Sequence, residues 1–314
     1  MFSFLLDPNQ LVELLNSGIS LSVPLIFAAL GGVICERAGV FNIALEGQML
    51  LGALAAAVGA SLVGTAVGGL FAAILVGALA GLILSMLSVS LRGNQIVIGL
   101  AITLFASGFT SFMSRVIFPE GGNSLKLPGF RPIAIPYLSE IPVVGRILFN
   151  QDGLFYLMVM LVGLTMIVMY VTSLGLNLRA IGENPGAADA AGVSVVGLRY
   201  GAVICGSSIA ALGGSYIVLS QVFLFSDNIT AGKGFIALGA IVLGRWNPFF
   251  AMMACLLFGI FDALQLHMQA SEPEVPSQLF AAMPYLISIF AFVGLIGIVH
   301  PPAAGGKHYD REVR

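Results

Sequence analysis

Charged side chains are scarce in this sequence. Only 9% of its 314 residues are Asp, Glu, Lys or Arg, whereas 58% are hydrophobic. An ordinary soluble domain has about 25% charged residues and about 45–50% apolar residues, so it could not bury this much apolar surface. A charge at the bilayer centre costs about 2.5–3.5 kcal/mol on insertion scales. The composition therefore predicts an integral membrane protein whose charges lie mainly in connecting loops.

Reactive and metal-binding side chains are also few. The three cysteines and three histidines lie far apart, without the spacing of a metal site, so we predict no bound metal. No G-x-x-x-x-G-K-[ST] phosphate loop occurs, and no catalytic triad is recognisable. We therefore expect no catalytic residue, no cofactor and no ATPase site in this chain. A net charge of −2 without a basic block gives no indication of a nucleic-acid partner.

Long apolar runs follow one another along the chain. Because about 20 apolar residues cross a bilayer, we predict an all-α polytopic bundle of about nine transmembrane helices, within a range of eight to ten. The predicted spans are 11–34, 47–63, 66–91, 95–117, 153–173, 199–220, 234–245, 248–269 and 278–299. The run at 234–245 is too short to cross alone and is interpreted as a half-helix.

Basic residues in the connections predict the orientation, because short cytoplasmic loops are rich in Lys and Arg. With nine spans, one side carries most of the loop cations, namely Arg37, Arg92, the Arg179–Arg199 loop, Arg245, Lys307, Arg311 and Arg314. We therefore predict an outside N-terminus and a cytoplasmic C-terminus. The 119–152 loop and the acidic 270–276 turn then face outward, although the former also contains Lys126, Arg131 and Arg146.

Two connections are more polar than a structural bundle requires. The first places Asn42, Glu46 and Gln48 near a helix start, where polar groups can line a water-filled cavity. A plain cytoplasmic connection is the alternative. In the second, Asn184 is suited to cap a short Ala-rich helix over 185–191 that ends at Gly192. Such a helix can dock into another protein or serve as a structured linker.

Three further features are open to two interpretations. Asp262, inside a span, is a functional-site candidate, and pairing with a backbone amide or an Arg is the alternative. Trp246, the single tryptophan, is interpreted as an interface anchor at a span boundary. The segments 41–53 and 227–240 share an Asn-Ile pair followed by Leu-Gly-Ala, which indicates either a repeat with interrupted helices or chance.

Three segments together resemble a known family. They read E-R-A-G-V-F-N-I-A-L-E-G-Q-M-L-L-G-A at 36–53, R-A-I-G-E-N-P-G-A-A-D-A-A-G-V at 179–193 and A-L-G-A-I-V-L-G-R-W-N-P at 237–248. They resemble permeases of the ribose and branched-chain amino acid type of ABC importer, in the nucleoside and simple-sugar branch. The resemblance implies the membrane-spanning permease subunit of a bacterial importer in the cell membrane. Residues 1–314 would then form a single permease domain, with a coupling loop at 174–198.

The same resemblance implies partners and site residues. The partners would be an ATP-binding subunit that holds ATP and Mg²⁺, a second homologous permease, and an external substrate-binding lipoprotein or periplasmic protein. The short helix would be the coupling helix, with Glu183, Asn184, Pro185, Ala187, Ala188, Asp189, Ala191 and Gly192 as coupling residues. A bulky charged residue at Ala188 is expected to uncouple hydrolysis from uptake without unfolding the bundle, because the helix is expected to face water or a partner rather than lipid. The expected path-lining residues are Asn42, Glu46, Gln48, Asn94 and Gln95.

The cargo preferred on this resemblance is a nucleoside. Simple sugars are the alternative, because a few amides and hydroxyls serve either solute. A secondary carrier that works alone with an ion gradient is a further alternative. Such carriers need several ionisable groups at mid-membrane, and here the candidates reduce essentially to Asp262.

Overall fold

The structure is a computed structural model that describes residues 8–118, 127–139, 141, 144–271 and 300–310. In these residues the chain forms eleven α-helices and two short strands. They are α1 (Pro8–Arg37), α2 (Leu45–Val63), α3 (Ala66–Ser85), α4 (Gln95–Ile117), β1 (Pro132–Ala134), α5 (Val144–Leu148), β2 (Asn150–Asp152), α6 (Gly153–Val171), α7 (Ser173–Glu183), α8 (Pro185–Ala190), α9 (Val195–Tyr216), α10 (Lys233–Leu243) and α11 (Pro248–Ser271). The π-helical segments Met86–Ser90 and Ile217–Val222 extend α3 and α9.

Seven of the described helices are long and apolar enough to cross a membrane. They are Gln10–Arg37, Leu45–Val63, Ala66–Ser90, Gln95–Ile117, Gly153–Val171, Val195–Val222 and Pro248–Gln269. All seven coincide with predicted spans, so the polytopic helical bundle is confirmed. The count of nine is not confirmed, because α10 has only 11 residues, as predicted for a half-helix. The span predicted at 278–299 lies outside the described residues, as does most of the acidic 270–276 turn.

Helices α1 and α9 form the centre of the bundle. In their most apolar windows, 78% of the α1 residues and 83% of the α9 residues are buried, against 22% for α4. Glycines allow the two central helices to cross closely, since a Cβ on Gly31 would lie 2.2 Å from the Gly206 carbonyl oxygen. The outer helices instead expose large apolar side chains such as Leu79 and Leu104, as a lipid-facing surface requires.

A glycine contact between α2 and α9 provides a test of this packing. A Cβ on Gly52 would lie 2.3 Å from the Ala211 carbonyl oxygen, whereas one on Gly163 would meet nothing within 4 Å. We expect Gly52→Ala to lower the melting temperature by several degrees, because overpacking costs about 1–3 kcal/mol. Gly163→Ala should be neutral or slightly stabilising, since Ala is the better helix former. Thermal unfolding in one detergent compares the two variants, and equal melting temperatures would contradict the close crossing.

Two interruptions bring non-helical chain into the bundle. The first break, residues 38–44, joins α1 to α2, and its second residue, Gly39, has a left-handed conformation with φ 85°. The second break, residues 223–232, precedes α10 and includes Asn228 and Ala231 with φ 53° and 47°. Non-helical backbone within a membrane bundle is tolerated only where protein buries it or where it lines a cavity. The two similar segments at 41–53 and 227–240 begin in these breaks and continue into α2 and α10.

The end of the bundle at which α1 terminates is called here the Arg37 face. Arg37 donates to the Arg245 carbonyl oxygen at 3.2 Å, and Arg199 donates to the Lys307 carbonyl oxygen at 3.1 Å. Four of the predicted loop cations therefore lie together on one face, as expected. The first break begins at this face, whereas the second follows the far end of α9 and enters from the opposite face.

A small hairpin in the 119–152 loop was not predicted. Strands β1 and β2 pair antiparallel, with Pro132 opposite Asp152. The Asp152 carboxylate then caps α6 by accepting from the Leu154 and Phe155 N–H groups at 2.9 and 3.0 Å. Strands of three residues are too short to show an alternating pattern in the sequence.

Candidate functional site

Glu46, in the first turn of α2, lies where the two breaks meet. Its carboxylate accepts from the Thr230 hydroxyl at 2.5 Å and from the N–H groups of Gly232 and Gly234 at 2.8 and 2.6 Å. The residue is 3% exposed. Because the first N–H groups of a helix have no partner within it, the carboxylate satisfies the start of α10 and complements its dipole. We call Glu46 with these three residues the Glu46 clamp.

Glycines make the clamp possible and place it inside the bundle. A Cβ on Gly234 would lie 2.4 Å from the backbone of Glu46, and a Cβ on Gly47 would lie 2.8 Å from the Thr103 Cα. At about 1.5 Å of rise per residue, Thr103 lies about 12 Å from the start of α4. The first turns of α2 and α10 therefore meet well inside the bundle after entering from opposite faces.

Two buried amides fix the first break. Asn42 Nδ2 donates to Gln48 Oε1 at 2.9 Å, and Gln48 Nε2 returns a bond to Asn42 Oδ1 at 3.1 Å. Asn42 Nδ2 also approaches Cys35 Sγ at 3.5 Å. Both amides are fully buried, so each supplies the partner that the other needs. The hydrogen bonds between these two buried amides therefore stabilise the chain reversal between α1 and α2.

The remaining two predicted path residues begin α4. Asn94 is exposed and caps the helix by accepting from the Ile96 and Val97 N–H groups at 3.0 and 3.3 Å. Gln95 is buried, and its Oε1 accepts from the Phe41 N–H at 2.7 Å. The structure thus brings together four of the five predicted residues around the breaks, namely Asn42, Glu46, Gln48 and Gln95. Each of these four side chains makes at least one hydrogen bond within the protein, and their lining of a path stays a prediction.

The short helix predicted in the 174–198 loop is present. Helix α8 spans Pro185–Ala190, with Pro185 in its first turn. Asn184 Oδ1 accepts from the Ala187 N–H at 3.0 Å, which is the predicted cap. Gly192 follows in a left-handed conformation with φ 84°, as a helix stop requires.

One of the predicted coupling residues faces away from solvent. Ala188 is 5% exposed and packs in the hydrophobic core, whereas Ala187 and Ala191 are exposed. The expectation that a substitution at Ala188 would project into water or a partner is therefore wrong, because a helix lying on the protein turns one side inward. The exposed members of the predicted coupling set are Glu183, Asn184, Ala187, Ala191 and Gly192, and the half-buried ones are Pro185 and Asp189.

Trp246 is not the interface anchor that was predicted. It is 4% exposed, and its indole N–H donates to the Glu36 carboxylate. Arg37 Nε also donates to the Trp246 carbonyl oxygen at 2.8 Å. Arg245 and Trp246 both have left-handed backbone, with φ 52° and 54°, so the end of α1 holds the turn between α10 and α11. The sequence signal was Glu36, a carboxylate at the end of a span that needs a donor.

Asp262 forms an ion pair with a residue that was not predicted as its partner. Lys233 Nζ lies 3.5 Å from Asp262 Oδ2, and the two side chains are 17% and 19% exposed. Lys233 is the first residue of α10, so the half-helix supplies the cation where an Arg or a backbone amide was expected. The intramembrane carboxylate is therefore compensated, and the main ionisable candidate for an ion-coupled carrier is engaged in an ion pair within the protein.

Residues 14–295 match the family described as branched-chain amino acid transport system, permease component. The chain belongs to this family. It is 34% identical over 304 residues to the guanosine ABC transporter permease protein NupQ of Bacillus subtilis, over 93% of this chain and 95% of NupQ. It is 35% identical over 321 residues to the nucleoside ABC transporter permease protein NupC of Lactococcus lactis, over 96% and 98% of the two chains. The glucose ABC transporter permease protein TsgB13 of Haloferax volcanii is 30% identical over 305 residues, or 91% and 78% of the two chains.

No solved structure matches this chain. Family membership confirms the resemblance drawn from the sequence motifs. The protein is a multi-pass membrane permease subunit of an ABC importer, and as the transport component it has no ATPase site of its own. It works with an ATP-binding subunit and a substrate-binding protein.

Proposed function

We propose that this permease imports nucleosides. The observation that carries the proposal is its likeness to NupQ and NupC, named for guanosine and for nucleosides, at 34% and 35% identity over more than nine-tenths of each chain. The likeness to TsgB13, at 30% identity, makes a simple sugar the second candidate. Both cargoes are polar and uncharged, which fits an interior whose few charges are compensated within the protein, as at Glu46 and Asp262.

In this proposal the Arg37 face meets the cytoplasm. The cations gathered there support this orientation, since short cytoplasmic loops are rich in Lys and Arg. Gly182, at the end of α7, packs against the Arg37 carbonyl, so the start of α8 lies at that face. Helix α8 then contacts the ATP-binding subunit, which holds ATP and Mg²⁺. The N-terminus of α1 is outside and the tail at 300–310 is cytoplasmic.

The cargo crosses beside the two breaks, in a path completed by a second homologous permease. The meeting of α2 and α10 at the Glu46 clamp supports this location, because interrupted helices that meet inside a transporter mark its substrate site. Asn42, Gln48, Asn94 and Gln95 are the further residues proposed to shape the path. ATP-driven movement of α8 would open and close it.

The test is purification of the complex from its native membrane in mild detergent, followed by reconstitution in proteoliposomes with its binding protein. Mass spectrometry should recover an ATP-binding subunit and a second permease. ATP should drive accumulation of tritiated guanosine, and excess unlabelled uridine, but not glucose or ribose, should compete. Accumulation of glucose without guanosine would overturn the nucleoside proposal in favour of the sugar.

A further inference from the structure

The described end of the chain, residues 300–310, crosses the Arg37 face beside the coupling segment, and we call it the C-terminal strap. The Ala304 N–H donates to the Gly182 carbonyl oxygen at 2.8 Å, and the Ala303 N–H donates to the Glu183 carboxylate at 3.3 Å. These two acceptors immediately precede Asn184, the cap of α8. The strap is therefore bonded to the segment from which the coupling helix starts.

The strap also contacts the first break. The Gly306 N–H donates to the Gly39 carbonyl oxygen at 3.3 Å. A Cβ on Gly306 would lie 2.8 Å from the Phe41 ring, so strap and break pack closely. Phe41 in turn donates its N–H to Gln95 and directly precedes the buried Asn42. One short segment thus joins the start of α8 to the turn that begins α2.

Arg199, near the start of α9, ties these two contacts together. Its Nε donates to the Ala38 carbonyl oxygen at 3.2 Å, and its Nη1 donates to the Lys307 carbonyl oxygen at 3.1 Å. The residue is 2% exposed, and among the described residues its Nη2 has no hydrogen-bond partner. The planar guanidinium presents its donors in a fixed fork, so break and strap are held at a set distance from each other.

We infer that the C-terminal strap transmits displacement of α8 to the first break, and through it to the Glu46 clamp. The inference rests on the proposed function of α8 as coupling helix. The strap bonds to the chain on both sides of the transmission, at Gly182 and at Gly39, while Arg199 fixes its position. A docked subunit that moves α8 therefore moves the turn before α2 as well. Spatial connection alone does not establish coupling, so the test measures coupling itself.

The far end of the strap offers a mild variant. Arg92 Nη1 lies 2.6 Å from Asp310 Oδ2, and the two side chains are 54% and 29% exposed. An exposed ion pair contributes little to stability, so Arg92→Gln should leave the fold intact. Arg92 lies in the connection from α3 to α4 and has a left-handed backbone with φ 55°.

The experiment compares three variants in the full complex, reconstituted in proteoliposomes with its binding protein. A stop codon at His300 removes the strap, a stop at Arg311 is the matched control that keeps every strap contact described here, and Arg92→Gln loosens the far end. We expect the His300 truncation to assemble and to hydrolyse ATP, but to transport about tenfold less nucleoside per ATP, within the usual range of coupling between sites. Arg92→Gln should show a smaller loss, and the Arg311 truncation none.

A second readout separates this inference from the proposed cargo. Stimulation of ATP hydrolysis by the binding protein reports coupling whatever the solute is, and it should fall by a similar factor when the strap is removed. Equal transport per ATP and equal stimulation in the two truncations would overturn the transmission role. Loss of the ATP-binding subunit from the His300 truncation would overturn it as well, since the strap would then serve assembly. A full-length complex with normal stimulation but without nucleoside transport would instead refute the cargo proposal alone.

Discussion

The Glu46→Gln variant is expected to lose about 2–4 kcal/mol of stability and most of its transport. The native carboxylate accepts three hydrogen bonds in a buried site, from Thr230, Gly232 and Gly234. Hydrogen bonds to a charged group contribute about 1.5–3 kcal/mol each, and a buried donor left unpaired costs about 1–3 kcal/mol. The amide has the same shape, but its NH₂ group would face a donor where the native residue offers an acceptor.

Thermal unfolding of the purified complex and ATP-driven uptake measure the two effects of Glu46→Gln. The matched control is Glu13→Gln, which neutralises an exposed carboxylate near the other end of α1. This control should leave both the melting temperature and the uptake unchanged. A Glu46→Gln complex that melts and transports like the native one would show that the clamp does not hold α2 and α10 together.

The second large effect is expected at the exposed surface of α8. Ala187→Trp should keep the fold and reduce ATP-driven transport by about tenfold or more, because a bulky side chain would separate α8 from the subunit that docks on it. Surface substitutions usually change stability by less than about 0.5 kcal/mol. Ala188→Trp should behave differently, since Ala188 is buried and overpacking costs about 1–3 kcal/mol.

Melting temperature and transport per ATP, measured together, separate these α8 variants. Ala101→Trp provides the control, because Ala101 is an exposed alanine of α4, far from α8 in the sequence and inside a membrane span. Ala187→Trp should lower transport per ATP without changing the melting temperature. Ala188→Trp should lower the melting temperature, and Ala101→Trp should change neither quantity. Native transport by Ala187→Trp would exclude α8 as the docking helix.

Much of the fold could be predicted from patterns of neighbouring residues. Apolar runs of sufficient length identified all seven spanning helices of the described residues, and the short run before Arg245 forms an 11-residue helix, the length expected of a half-helix. The cap at Asn184 and the stop at Gly192 located α8, because both depend on the conformations of neighbouring residues. Such features lie within a few residues of one another, where sequence patterns carry information.

Contacts between distant segments were not predictable in the same way. Glu46 was identified as polar and near a helix start, but its bonds to Gly232 and Gly234 join residues far apart in the chain, which no local pattern records. The inward face of α8 was missed for another reason: a helix of alanines has no apolar stripe that would show which side is buried. The prediction for Trp246 was wrong for a similar reason, because a tryptophan at a span boundary has the same sequence pattern whether its side chain contacts lipid or Glu36.

The Glu46 carboxylate, which is shared between α2 and α10, also affects whether ions can pass through the bundle. Glu46 belongs to α2 but satisfies the start of α10, so separating the two would leave one bare anion and three idle donors in an apolar interior. A state with an open gap at this point is therefore penalised unless a polar solute or water replaces the lost partners. While the clamp is intact, ions therefore meet no open gap between the first turns of α2 and α10.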